Sequence, residues 1–78
     1  MELQDFLQNF ADQFNDVDVN DLSATTEFGN LDEWTSLTSL SIIAMIDEKY
    51  DVSVNGNDIR TSETIGDLFE IVKSKKHA

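Results

Sequence analysis

Leu3, Phe6, Leu7, Phe10, Ala11 and Phe14 recur at intervals of three and four residues, while Glu2, Asp5, Gln8 and Asp12 fall between them. This spacing puts the apolar side chains on one stripe of a helix and does not fit the two-residue alternation of a strand. The same period returns twice. From about residue 36 to residue 50, Leu37, Leu40, Ile43, Ala44, Ile46 and Tyr50 give a broad apolar face, with Thr38, Ser41, Asp47 and Glu48 turned away. From about residue 64, Ile65, Leu68, Phe69 and Val72 supply a third inner face. The start of that segment, Thr64-Ile65-Gly66-Asp67, has the form of a capping box, in which the threonine oxygen bonds a free amide and the acid reaches back. Lys73, Lys75 and Lys76 sit in and beyond its last turn, where positive charge suits the helix dipole.

Between the first two stripes, residues 15–35 are rich in Asn, Asp, Ser, Thr and Gly, which favour local side-chain-to-backbone hydrogen bonds over helix. A connection of this length is uncommon in a small domain unless it is pinned or functional. Val17, Val19, Leu22, Phe28 and Leu31 are the expected pins. Residues 51–58 read as a connector, with a short helical turn expected around residues 57–60. The chain has no proline, so glycines, caps and turn residues must end its helices. The expected architecture is one all-α domain over residues 1–78. It is a small four-helix bundle, three main helices and one short one, with a long loop between helices 1 and 2.

A domain of 78 residues buries only about 60% of the surface its unfolded chain exposes, which leaves little room for an enclosed active site. With no cysteine there is neither a disulfide framework nor a thiolate metal site. The opening MELQDFLQNF lacks the basic and apolar regions of a secretory signal, and no apolar run approaches the ~18 residues of a membrane span. The expectation is a cytoplasmic monomer. Sixteen acids against five bases give a net charge of −11, and no Lys or Arg precedes Lys49. Such a field repels nucleic acid and anionic membranes and attracts basic protein surfaces.

Enzyme templates lack their parts. His77 is the only histidine and is expected in a solvated tail; there is no cysteine, no glycine-rich phosphate loop and no nucleophile elbow. Asp47 and Glu48 are adjacent, and helix neighbours point about 100° apart, so they form an acidic face rather than an acid/base pair. A calcium loop is the other candidate, since Asp51, Ser53, Asn55 and Gly56 match its positions 1, 3, 5 and 6. Positions 8 and 12 then fall on Asp58 and Ser62, with Ile59 and Glu63 each one residue late for the apolar and bidentate roles. Val52 and Val54 fit better as a segment that packs one face inward.

The stretch DEWTSLTSLSIIAMIDEKY at residues 32–50 resembles the signature of acyl carrier proteins, in which a Ser-Leu pair starts the second helix and an apolar run ends in acids and an aromatic. Phe28 before it, Val52 and Val54 after it, and Thr64-Ile65 at the last helix also fall where that family has similar residues, so the resemblance covers nearly the whole chain. It implies that Ser36 receives 4′-phosphopantetheine from coenzyme A through a phosphopantetheinyl transferase, and that the arm carries acyl intermediates as thioesters in fatty-acid or related biosynthesis. It implies a docking face on helix 2, formed by Thr35, Leu37, Thr38, Leu40, Ser41, Ala44, Asp47 and Glu48, for acyl ligases, synthases and transferases with basic surfaces. It also implies an acyl-chain or core set of Phe28, Ile43, Ile46, Val54, Ile59, Ile65 and Leu68.

A serine at a helix start is exposed, and a phosphodiester there would lie beside free amides and the positive end of the dipole. The same serine could equally serve as an N-cap. The sequence departs from the family where Thr35 replaces the usual acid before the modified serine, with Trp34 ahead of it, and where Ser39 and Ser41 stand at positions often acidic. Those departures point to a specialised carrier with its own ligases. An aminoacyl or peptidyl carrier, and an acidic interaction module that is never pantetheinylated, are the alternatives.

Overall fold

In the computed structural model of the chain, which describes residues 2–76, the first apolar stripe forms helix α1 (Leu3–Ala11). Phe6, Leu7, Phe10 and Ala11 are buried along it. The helix stops short of Phe14, which is carried by a tighter turn (Phe14 N to Ala11 O, 3.0 Å) and is still buried. Helix α2 (Ser36–Tyr50) follows the long loop, then α3 (Gly56–Thr61) and α4 (Ile65–Lys76). The described residues contain four α-helices and no strand.

Each turn is closed by side chains in place of proline. Asn55 Oδ1 accepts from Asp58 N at 2.9 Å and Asp58 Oδ2 accepts from Asn55 N at 3.1 Å, a reciprocal cap that starts α3. At α4 Thr64 Oγ1 accepts from Asp67 N at 3.1 Å, while Asp67 Oδ2 accepts from Glu63 N and Thr64 N. Those two backbone donors hold the Asp67 carboxyl below its ordinary range, because they favour the charged form. Asp51 ends α2 in the left-handed conformation (φ 56°), which Asp tolerates better than most residues. Lys76 Nζ reaches back to the Tyr50 carbonyl at 2.9 Å, so the last turn of α4 satisfies the end of α2.

The loop is pinned more heavily than its apolar residues foretell. It contains two short 3₁₀ turns, Val19–Asp21 and Phe28–Asn30, with Leu22 and Phe28 buried and Val17, Val19 and Leu31 partly buried. The Glu33 carboxylate accepts from Asn15 N (3.0 Å) and Asp16 N (2.8 Å), tying its two ends together. Ala24 and Thr26 carbonyls accept from Gly66 N and Ile65 N at the start of α4. Gly66 is required by that approach: a Cβ there would lie 2.8 Å from Ala24 O.

The core is strongly aromatic. Rings of Phe69, Phe6, Phe10, Phe28 and Trp34 follow one another with centroid separations of 5.3, 6.4, 5.8 and 4.8 Å. Phe14 adds to the Trp34 end and Tyr50 to the Phe6 end. Of the expected core set, Phe28, Ile46, Val54, Ile59, Ile65 and Leu68 are buried, whereas Ile43 is only half-buried at the core's edge. The inward face of α2 is instead Ile42, Met45 and Ile46. Leu37 and Leu40, expected on the apolar face, are 74% and 61% exposed. The α2 sequence is apolar on several sides, so its period does not single out the face that packs.

Candidate functional site

The start of α2 is organised by Thr35, which is its N-cap. Thr35 Oγ1 accepts from Leu37 N (3.2 Å) and Thr38 N (3.3 Å), and Thr38 Oγ1 accepts from Thr35 N at 2.7 Å. The expectation that Ser36 itself might cap the helix is therefore corrected. Ser36 is the first helical residue, it is exposed, and its hydroxyl makes no hydrogen bond among the described residues. Its backbone amide is likewise without a partner there, while those of Leu37 and Thr38 are occupied by the cap. Thr35 and Thr38 belong to the candidate docking set, and their hydroxyls are engaged in building the helix end.

Ser36 opens onto a groove of about 650 Å³ between the second 3₁₀ turn, the α2 start and α3. Phe28, Trp34 and Ile59 give it an apolar lining, and Ser39, Arg60 and Glu63 a polar one. Gly29 and Gly56 also line it. Neither glycine has a positive φ, and a Cβ on either would meet nothing within 4 Å. Sequence reasoning singled out Ser36, Phe28 and Ile59 but missed Trp34, Arg60, Gly29 and Gly56 as neighbours of the serine. The available signals were two glycines without a turn to explain them and a lone cation between Lys49 and Lys73.

The remaining docking residues share one side of α2. At about 100° per residue Leu37, Leu40, Ser41, Ala44, Asp47 and Glu48 fall within an arc of about 120°. All are exposed except Ser41, which is half-buried and donates to the Leu37 carbonyl at 3.2 Å. The arc combines two large exposed leucines near Ser36 with two carboxylates a few turns on.

The calcium-loop residues do not converge. Asn55 and Asp58 cap α3, Gly56 is its first residue, and Ser62 Oγ donates to the Asp58 carbonyl at 2.9 Å. Val52 and Val54 are buried, as expected of an inward-packing segment. No group of three or more candidate metal ligands occurs among the described residues. A second groove, about 350 Å³, lies beside the first 3₁₀ turn among Asp16, Asp18, Asp21, Asp32 and Glu33. The C-terminal lysines are engaged within the chain: Lys73 with Glu70 (3.8 Å) and over the Phe69 ring, Lys75 with Asp58 (3.4 Å), and Lys76 with the Tyr50 carbonyl. His77 lies outside the described residues. No helix among the described residues is long and apolar enough to cross a membrane. Comparison with known protein families, with characterised proteins and with solved structures finds no match.

Proposed function

We propose that this chain is a carrier protein of the acyl carrier type, which bears 4′-phosphopantetheine on Ser36 and presents it to partner enzymes along α2. The observation that carries the reading is Ser36 itself: an exposed hydroxyl without a hydrogen bond, at the first position of a capped 15-residue helix and at the mouth of a groove. Most polar side chains at helix starts in this protein are engaged in caps; this one is not. The residues present fit the arm. Gly29 and Gly56 leave open a cradle that a Cβ at either would narrow, and the unpartnered Ser36 amide at the positive end of α2 favours a phosphodiester by about 0.3–1 kcal/mol.

Attachment would form a bond between Ser36 Oγ and the phosphorus on the pantetheine side of the pyrophosphate of coenzyme A. The pyrophosphate bond breaks, adenosine 3′,5′-bisphosphate leaves, and the serine proton passes to the transferase. The bound arm would supply a terminal thiol that holds cargo as a thioester. Every other task falls to the chain: Thr35 and Thr38 fix the helix end, Leu37, Leu40 and Ala44 offer apolar contact, and Asp47 and Glu48 pair with partner Lys or Arg. Pairs of this exposed kind are individually weak and screened by salt, which lets a carrier leave each enzyme after delivery.

Intact mass spectrometry before and after incubation with coenzyme A and a permissive phosphopantetheinyl transferase tests the reading. One added phosphopantetheine, absent in Ser36→Ala, is the expected result. No gain with several transferases would leave an acidic interaction module as the better account. Thr35 in place of an acid supports a specialised carrier; loading by housekeeping fatty-acid enzymes at rates equal to those of their own carriers would count against that refinement.

A further inference from the structure

We infer, resting on the carrier reading, that the cargo is a short acyl group bearing a polar substituent such as hydroxyl, amino or carboxyl, held with the proximal arm in the surface groove over Trp34 rather than inside the bundle. Three observations lead there. The interior is already filled: the ring chain from Phe69 through Phe6, Phe10 and Phe28 to Trp34 runs through it at contact separations of 4.8–6.4 Å. Protein interiors pack like crystals, so threading an alkyl chain between the helices would part rings that now touch.

The groove, in contrast, is open at Ser36 without any movement. Its two glycines have no other explanation: neither needs a positive φ and neither is approached closely, unlike Gly66. In α3 especially, alanine at residue 56 would favour helix over glycine, so the bare backbone there is best accounted for by the space it leaves. The lining then sets the cargo class. Arg60 is exposed and holds only Asn57 of its own turn (3.0 Å), and Glu27, Glu63 and Ser39 share the groove with it. A long alkyl group laid there would take water from those charges without replacing it, whereas a hydroxyl, amino or carboxyl group would bond them. Phe28, Trp34 and Ile59 supply contact for the few methylenes of a short chain.

Trp34 is the only tryptophan, so its fluorescence reports this groove alone. The full chain is loaded by a permissive transferase from coenzyme A or from its acetyl, 3-hydroxybutanoyl, succinyl and octanoyl thioesters. Mass spectrometry verifies each product, and Trp34 emission and Tm are then read. The expected result is a blue shift of Trp34 on loading, larger for 3-hydroxybutanoyl and succinyl than for acetyl, and no rise in Tm with octanoyl. Gly29→Leu and Gly56→Leu, which fill the groove from opposite sides, should load normally, keep their helical circular dichroism and lose the shift. Mass gain with Trp34 emission unchanged from the unloaded protein overturns the groove and leaves the carrier. A rise in Tm with octanoyl, or a shift that survives in both leucine variants, overturns it too. Absence of any mass gain removes the carrier reading and the groove with it.

Discussion

Thr35 and Ser36 are neighbours with separable tasks, and the separation can be measured. Thr35 Oγ1 serves two amides of the first turn of α2, so Thr35→Ala should cost about 1 kcal/mol in urea unfolding, the usual loss for a cap. Ser36 Oγ bonds nothing among the described residues, so Ser36→Ala should stay within about 0.5 kcal/mol of the parent while losing phosphopantetheine loading. Equal destabilisation by both would show that the cap is misassigned. Thr35→Asp should keep the cap, since aspartate caps as well as threonine does, and so isolates whether transferases read an acid at that position. At this scale the sequence was partly legible. Thr64 and Asp67 spell a capping box in its usual letters and form one. Thr35 and Thr38 form another with threonine in place of the usual acid, and that spelling is too common among loop residues to announce itself.

Helix α2 turns the same chemistry to opposite ends on its two sides. Ile42 is fully buried and Leu40, two residues earlier, is 61% exposed. Ile42→Ala should cost about 2–5 kcal/mol, a large share of the roughly 4–12 kcal/mol available to a chain of this length. Leu40→Ala should change stability by less than about 0.5 kcal/mol while weakening capture by partner enzymes. A comparable stability loss in both would mean that Leu40 packs inward and is no docking residue. The position and length of α2 could be read from residues 36–50, and its acids from their register. Which leucine or isoleucine packs could not: Ile42 and Met45 were missed and Ile43 placed too deep, because the choice is made by α1, α3 and α4 and not by the period of α2 alone. The loop shows the same limit. Its apolar pins were visible, but the Glu33 carboxylate bridging Asn15 N and Asp16 N joins residues 17 and 18 positions apart, and no local pattern encodes that.

For the whole molecule the deciding quantity is net charge, −11 on a body of 33 × 23 × 21 Å. At 0.01 M salt the Debye length is about 30 Å, so every carboxylate feels every other across the protein; at 0.15 M it is about 8 Å and only near neighbours interact. The three attractive contacts of the C-terminal lysines, at 3.8, 3.4 and 2.9 Å, lie well inside even the shorter length and survive the change largely intact. Each is exposed and worth at most about 1 kcal/mol, so the small part that salt does remove cannot offset relief of the long-range repulsion. Raising sodium chloride from 0.01 to 0.15 M should therefore raise Tm. A fall would mean that the lysine contacts dominate the electrostatics, and Lys75→Ala with Lys76→Ala would then reverse it. The same screening should weaken capture by a basic partner surface, so one titration is expected to stabilise the free protein and loosen its complexes. That opposition of signs follows from a single-signed field whose attractive partners are short-ranged when inside the chain and absent until an enzyme supplies them.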